Sequence, residues 1–251
     1  MTRVLPRTNF HSSQLIRCLA ELDLLDGAEP TGDFADELGQ WMHFTDAIAL
    51  SSVHEGGMAK LAPQSPALRA ATGARLQAEF ERIRNFMVNS ITKSCAPTAS
   101  KSPIKLPQPV DGEPSYVPYR RFYEAHQRDM ELSVEPLRVN LRAALALASP
   151  QLRKLAELDV VINKFLRARE SELLARVPVL LQKCFLAQYA AHQEQLAASG
   201  EADNPKASMA PGGWLASFCQ CLQTLLLAEA ELRLQPCAGL LEAYNQQRNY
   251  E

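Results

Sequence analysis

Apolar residues recur every three or four positions along most of the chain, and the longest such stretch runs from Ser115 to Ser199. Steps of three and four residues bring side chains to one face of an α-helix. The first stripe comprises Tyr119, Phe122, Tyr123, Met130, Val134, Leu137, Leu141, Leu145 and Ala148. The second comprises Leu152, Leu155, Leu158, Ile162, Phe165, Leu166, Leu173, Val177, Leu180, Leu181, Cys184 and Phe185. The pattern therefore predicts two long amphipathic helices.

The sequence Ala-Ser-Pro at 148–150 separates these helices. Ser149 can cap the second helix, and Pro150 suits its first turn, where a backbone N–H has no helical partner. So short a connection places the two arms side by side and antiparallel. We therefore predict an antiparallel helical hairpin. Pro136 and Pro178 lie inside its arms and should kink or break them, as bends that follow a rounded core rather than as hinges.

The same spacing predicts shorter helices on both sides of the hairpin. The first of them begins at Ser12 or Ser13. The other three run from Asp33 to Glu55, from Ala67 to Thr92 and from Gly213 to Leu234. We expect Pro236 to end the last of these helices, and residues 238–247 to add a short amphipathic tail. No segment alternates with period two for long enough to predict a strand. The predicted fold class is all-α, a helical bundle built around the hairpin.

Residues 94–118 interrupt this pattern with six prolines among Ser, Thr and Lys. Such a composition predicts an extended linker or a strap on the surface. The predicted organisation is an acidic helical region over 1–93, a proline-rich linker over 94–118, and the hairpin with the C-terminal helix over 119–251. We expect the first and last of these to pack together as one fold.

Charge is unevenly distributed in a chain whose net charge is −2. Nine acids and no Lys or Arg lie between Ala20 and Ala59, whereas bases outnumber acids from Lys60 to Lys183. The candidate interaction surface consists of Arg120, Arg121, Arg128, Arg138, Arg142, Arg153, Lys154, Arg167 and Arg169. A basic region can bind nucleic acid or an acidic protein. We favour its solvation, or neutralisation by the acidic N-terminal region packed on the hairpin.

The sequence contains no recognisable set of catalytic or metal-binding residues. The five histidines form no HxxxH pair, the six cysteines form no CxxC pair, and the glycine-rich phosphate-binding and nucleophile motifs do not occur. His43 and Asp46 lie three residues apart, which we interpret as a hydrogen bond on a helix surface. We predict no enzymatic activity, no metal and no cofactor. The acids between Ala20 and Ala59 could converge in a two-metal nuclease, but a solvated acidic face is the favoured interpretation.

Two further expectations concern the cellular compartment of the protein and the redox state of its cysteines. The N-terminus shows no basic and apolar leader, and no apolar run approaches 18 residues. We therefore expect a cytoplasmic protein whose cysteines are reduced and serve as small, buried apolar residues.

Several motifs resemble those of a proteobacterial family of unknown function. They are Ser12–Arg17, Leu38–Trp41 followed by Thr45–Ile48, Tyr123–Met130, Leu152–Asp159 and Leu227–Pro236. The resemblance covers most of the chain, apart from the linker and the 199–212 loop. Members of the family are encoded beside MotA/MotB-like, OmpA-type membrane proteins, a context similar to that of the ZorF accessory proteins in type III Zorya anti-phage systems. The resemblance implies no catalytic residues for this chain.

The resemblance implies protein partners, namely MotA/MotB-like membrane subunits and a second accessory protein. The hypothesis is a non-enzymatic helical interaction protein that serves as an accessory or effector-coupling subunit of such a complex. The alternative is an effector that binds or degrades nucleic acid through the basic 60–184 region. A third hypothesis is a self-assembling scaffold.

Overall fold

A computed structural model describes residues 13–22, 39–55, 65–96, 103–109, 114–200 and 204–248, and every regular element within these ranges is helical. The helices are α1 (Gln14–Glu21), α2 (Phe44–Glu55), α3 (Pro66–Cys95), α4 (Val117–Ala148), α5 (Pro150–Leu174), α6 (Val177–Ser199), α7 (Pro205–Ser208) and α8 (Trp214–Arg248). The predicted all-α bundle is confirmed.

The chain divides into two compact units. The first, which we call the aromatic unit, comprises 1–27, 88–128 and 178–232. The second, the hairpin unit, comprises 28–87, 129–177 and 233–251. Helices α3, α4 and α8 each contribute residues to both units. The division at 1–93, 94–118 and 119–251 stays a prediction.

The hairpin unit contains the predicted antiparallel pair, formed by α4 and α5. Its ion pairs join Arg142 to Asp159 and Arg167 to Glu131, so that the residue number rises on one helix as it falls on the other. Ser149 caps α5 as predicted, because its hydroxyl accepts a hydrogen bond from the Leu152 N–H at 3.1 Å and Pro150 follows in the first turn. Local sequence therefore fixes this turn.

The two prolines in the hairpin stretch have different outcomes. The second arm breaks after Leu174 and resumes at Val177, which places Pro178 in the first turn of α6. At that position a missing N–H costs no helical hydrogen bond. Pro136, by contrast, lies inside α4, which continues through it.

The predicted end of the last helix at Pro236 is wrong. Helix α8 runs continuously from Trp214 to Arg248 and contains this proline. A proline inside a helix costs about 3 kcal/mol. The side chains that follow compensate by burial, because Cys237, Leu240, Leu241 and Tyr244 are all at most 4 % exposed. The predicted tail is therefore the second half of one helix.

The predicted helix from Asp33 to Glu55 is not continuous. Residues 39–41 are helical, the helix stops at Met42 and His43, and α2 begins at Phe44. The carboxylate of Asp46 accepts a hydrogen bond from the backbone N–H of His43 at 3.2 Å, which satisfies a donor at the start of α2. Asp46 thus serves as a capping residue. The start at Asp33 lies outside the described residues.

Other predicted boundaries agree to within a few residues. The α1 helix begins after Ser13, although the Ser13 side chain makes no capping hydrogen bond. The α3 helix covers the predicted 67–92 span. Residues 103–109 of the proline-rich segment form no regular element, and Leu106 within them is 6 % exposed.

The aromatic unit has a core of rings that pack in tilted and edge-to-face pairs. Phe185 and Phe218 lie 5.1 Å apart between ring centroids, and both contact Tyr116 and Tyr119 at 5.5–6.2 Å. Such pairs contribute about 1 kcal/mol each beyond the apolar area that they bury. Because these rings come from the starts of α4 and α8 and from α6, they fix those three segments against one another.

Candidate interaction surface

Helix α4 exposes a row of apolar side chains within the hairpin unit. Leu132, Val139 and Leu147 are 68, 50 and 59 % exposed, and Pro136 and Ala143 between them are exposed as well. We call these five residues the apolar stripe. Their spacing of three or four residues places them on one face of the helix, about 22 Å long. The buried residues Leu137, Leu141 and Leu145 form a different face, so that α4 is apolar on two sides.

A groove of about 380 Å³ adjoins the stripe, between α3 and α4 of the hairpin unit. Buried Leu76 lies at its base, and Leu68 and Leu147 line it with 54 and 59 % of their surfaces exposed. The amide of Asn140 donates a hydrogen bond to the carboxylate of Glu79 at 2.9 Å across it. The groove is lined by apolar and polar side chains in similar measure, so that it offers a docked helix both apolar contacts and hydrogen bonds.

Two residues of the predicted basic surface, Arg138 and Arg142, converge on one carboxylate. Asp159 accepts hydrogen bonds from Arg138 Nη2 at 2.5 Å and from Arg142 Nε at 2.6 Å, and all three side chains are 11–14 % exposed. A further N–H of Arg138 donates to Asn163 at 2.7 Å. Burial of Asp159 raises its pKa, but the hydrogen bonds and charges of the two arginines outweigh it and hold the pKa below its ordinary value of 3.8.

Arg167 and Arg169 also have partners inside the hairpin unit. Arg167 lies 2.8 Å from the carboxylate of Glu131. Arg169 pairs with Glu172 at 2.8 Å, and its guanidinium lies 5.4 Å from the centre of the Trp41 ring. The cation–π contact joins residue 41 to α5.

The remaining predicted bases are dispersed. Arg153 donates to the carbonyl of Ala146 at 3.1 Å, and the ammonium group of Lys154 donates to the carbonyl of His54. Arg120 pairs with Glu124 at 2.7 Å, whereas Arg121 and Arg128 are exposed. The last three belong to the aromatic unit and the other six to the hairpin unit.

Seven of the nine bases therefore form a hydrogen bond or an ion pair with another residue of the chain, and in most cases that residue is an acid. These acids belong to the hairpin helices themselves. The expectation was solvation or neutralisation by the acidic region of 20–59, and six of the nine acids of that region lie outside the described residues. Two described acids of that region have local partners, since Asp46 accepts from the His43 N–H and Glu55 accepts from Ser51. The use of the nine bases as a docking surface stays a prediction.

The Arg138 cluster opens on a small cleft that carries charges of both signs. Its volume is about 70 Å³, and its lining includes Glu135, Glu170 and Arg233. Such a volume holds a few water molecules and is well below that of ligand pockets. In the part of the chain that the structure describes, no three His, Cys, Asp or Glu side chains are placed to hold a metal ion.

The aromatic unit contains a buried carboxylate that the sequence analysis missed. Glu229 is fully buried and accepts hydrogen bonds from the Tyr123 hydroxyl at 2.9 Å and from the Gln127 amide at 3.0 Å. Tyr123 and Gln127 lie one turn apart on α4. The available signal was a lone acid within the apolar run of 222–230.

A buried serine–histidine pair was missed as well. Ser94 Oγ lies 2.8 Å from Nε2 of His126, and Ser94 also donates to the carbonyl of Ile91 at 2.9 Å. With the serine proton directed to Ile91, Ser94 Oγ is free to accept a hydrogen bond from an Nε2–H of the imidazole. The two side chains are 3 and 2 % exposed, so a substrate does not reach them. They fasten α3 to α4 within the aromatic unit.

Comparisons with known proteins place the chain in a family. No helix within the described ranges is both long and apolar enough to cross a bilayer. No curated protein and no solved structure matches the chain significantly. The model of the family described as "protein of unknown function (DUF3348)" matches residues 1–246, which is nearly the whole chain, and the protein therefore belongs to the DUF3348 family.

Proposed function

We propose that this protein is a helical interaction protein and that the apolar stripe of α4, with the adjoining groove, docks a helix of a protein partner. The main support for this proposal is the exposure of Leu132, Val139 and Leu147 on a helix whose opposite face is already buried. Contiguous exposed apolar surface of this kind is typical of protein interaction sites. A partner helix with apolar residues at i, i+3, i+4 and i+7 matches the spacing of the stripe.

The chemistry of the neighbouring surface supports a protein partner over nucleic acid. Arginines that bind phosphate need free N–H donors, and those of Arg138 and Arg142 are directed to Asp159. The nucleic-acid alternative then relies mainly on exposed bases such as Arg121 and Arg128. Its signature is an affinity that falls steeply with salt concentration.

The finer proposal concerns the identity of the partner. The resemblance to the ZorF accessory proteins of type III Zorya systems supports a role as an accessory or effector-coupling subunit of a MotA/MotB-like anti-phage complex. The helix that docks on the stripe then belongs to a MotA/MotB-like membrane subunit or to a second accessory protein. The protein transmits the state of the motor-like subunits through this contact, without chemistry of its own.

Co-purification of the full chain with the MotA/MotB-like subunits tests this proposal. The double variant Leu132→Glu/Leu147→Glu should fold normally, because both side chains are exposed, and should weaken capture at least about tenfold. Leu186→Glu is a matched control, since Leu186 is 53 % exposed on α6 and should leave capture unchanged. Equal capture by all three proteins would exclude the stripe as the docking site.

A second experiment tests the alternative that the protein binds nucleic acid. The wild-type chain and an Arg121→Ala/Arg128→Ala variant are titrated with duplex and single-stranded DNA at increasing salt. We expect no salt-dependent binding. Tight binding that weakens steeply with salt and that the variant loses would favour the nucleic-acid effector instead.

A further inference from the structure

Helices α6 and α8 of the aromatic unit each bring a cysteine to the same side-chain amide. Nε2 of Gln188 lies 3.3 Å from the sulfur of Cys184 and 3.9 Å from the sulfur of Cys221. Gln188 follows Cys184 by one helical turn, so both project from one face of α6. The other amide atom of Gln188, Oε1, is buried and has no hydrogen-bond partner within the described residues. The N–H contacts to the two sulfurs therefore orient this amide.

Contact with one amide brings the two thiols close enough to influence each other's ionisation. The Cys184 S–H, as a donor, lowers the pKa of the Cys221 thiol although burial opposes it, and the pKa of Cys184 is raised, with burial acting in the same direction. The thiolate is the nucleophilic form of cysteine, and both the Cys184 S–H and the Gln188 N–H stabilise it on Cys221. Cys221 is half-buried whereas Cys184 is 8 % exposed, so a reagent reaches Cys221 first.

We propose that Cys221 and Cys184 form a redox-active dithiol, with Cys221 as the nucleophile and Cys184 as the resolving thiol, which a small disulfide such as oxidised glutathione converts to a disulfide between α6 and α8. The contacts of the Gln188 amide with both sulfurs, one on α6 and one on α8, carry this assignment. It is independent of the docking role proposed for α4.

The exchange balances in two steps. The Cys221 thiolate attacks one sulfur of the small disulfide, forms a mixed disulfide with it and releases the other half as a thiolate. Cys184 then loses its proton and attacks the Cys221 sulfur, which expels the second half as a thiolate. Two electrons pass from the protein dithiol to the small disulfide, and the two released thiolates take up the two protons.

The other described cysteines of this unit provide internal controls. Burial raises the pKa of Cys219 to about 12 and that of Cys95 to about 11, so both remain thiols at neutral pH. Cys219 is 7 % exposed and lies on α8 only two residues before Cys221. It therefore tests whether reactivity follows the paired geometry or merely the position on the helix.

The experiment incubates the reduced full chain with oxidised glutathione and follows it by intact mass and peptide mapping. The wild type should lose about 2 Da and yield a cross-linked peptide pair that contains Cys184 and Cys221. Cys184→Ser should instead retain one glutathione on Cys221, because the resolving thiol is missing. Cys221→Ser should form neither product, and Cys219→Ser should behave as wild type.

Circular dichroism of each variant checks that the helices are retained, and alkylation kinetics on the wild type give a second measure that needs no substitution. Cys221 should react at least about tenfold faster than Cys95 or Cys219 at pH 7. Equal alkylation rates would overturn the proposal, as would glutathione on other cysteines or an unchanged disulfide yield in Cys221→Ser.

Discussion

The two units of this protein bury a carboxyl group to different depths. In the aromatic unit, Glu229 is fully buried and accepts hydrogen bonds from the hydroxyl of Tyr123 and the amide of Gln127. In the hairpin unit, Asp159 is held by two guanidinium groups in a cluster that stays 11–14 % exposed. The aromatic unit encloses its carboxyl group completely, whereas the hairpin unit places its ion pairs near the surface and leaves apolar residues of α4 exposed.

This difference indicates where stability and recognition reside. Burial of large rings is the largest source of stabilisation available to a helical core, whereas ion pairs contribute less as exposure increases. The hairpin unit thus combines moderate ionic restraint with an exposed apolar surface. The aromatic unit has a core rich in buried rings and carries the proposed dithiol.

The largest effect is expected from truncating a ring in the aromatic core. Phe218→Ala should lower the free energy of unfolding by about 4 kcal/mol, because Phe218 is fully buried among Tyr119, Phe185 and their neighbours. Urea denaturation measures this change. Phe86→Ala, at a side chain 54 % exposed, is the control and should cost less than about 1 kcal/mol. Equal losses would mean that the ring cluster has no special role.

Removing the central carboxylate of the hairpin unit should have the next largest effect. Asp159→Asn leaves two nearly buried arginines without their counter-charge and should cost about 3 kcal/mol in urea denaturation at pH 7. Glu172→Gln, at an exposed acid on the same helix, should cost less than about 1 kcal/mol.

The pH dependence sharpens this prediction. The pKa of folded Asp159 lies below its ordinary value of 3.8, so its stabilising contribution is complete above that value and is lost as pH falls through the folded pKa. The difference between wild type and Asp159→Asn should therefore shrink below about pH 4. A difference that stays constant down to pH 2 would show that the carboxylate acts through shape rather than charge.

The smallest effect is expected at Arg167. This side chain is 53 % exposed and its partner Glu131 is 54 % exposed, so Arg167→Ala should cost less than about 1 kcal/mol. The cost should decline further at high salt, because exposed ion pairs are screened. A loss as large as that of Asp159→Asn would remove the distinction between the exposed and the nearly buried pairs of the hairpin unit.

The features predicted correctly from the sequence are those that local chemistry determines. The Ser149 cap and the proline in the first turn of α5 set the hairpin turn within four residues, and the helical period needs no tertiary information. Pro236 was misjudged because its local cost is outweighed by the burial of Leu240, Leu241 and Tyr244, a gain that depends on packing.

The candidate site was less predictable because it depends on which face of a helix is covered. The spacing of apolar residues identified the buried face of α4. Leu132, Val139 and Leu147 lie on another face of the same helix, and nothing in the sequence shows whether a neighbouring helix covers that face. Similarly, Arg138 and Arg142 were expected on a solvated side, and only the antiparallel pairing brings Asp159 opposite them.

Pro136 gives the apolar stripe one polar feature. Because proline has no N–H, the carbonyl of Leu132 one turn earlier receives no hydrogen bond from it within α4. Pro136 and Leu132 are both exposed, so this carbonyl lies at the N-terminal end of the surface proposed for docking. A partner helix that places a serine, glutamine or arginine there gains a hydrogen bond that fixes its register. Such a polar residue at one defined position would distinguish the true partner from other helices of similar hydrophobicity.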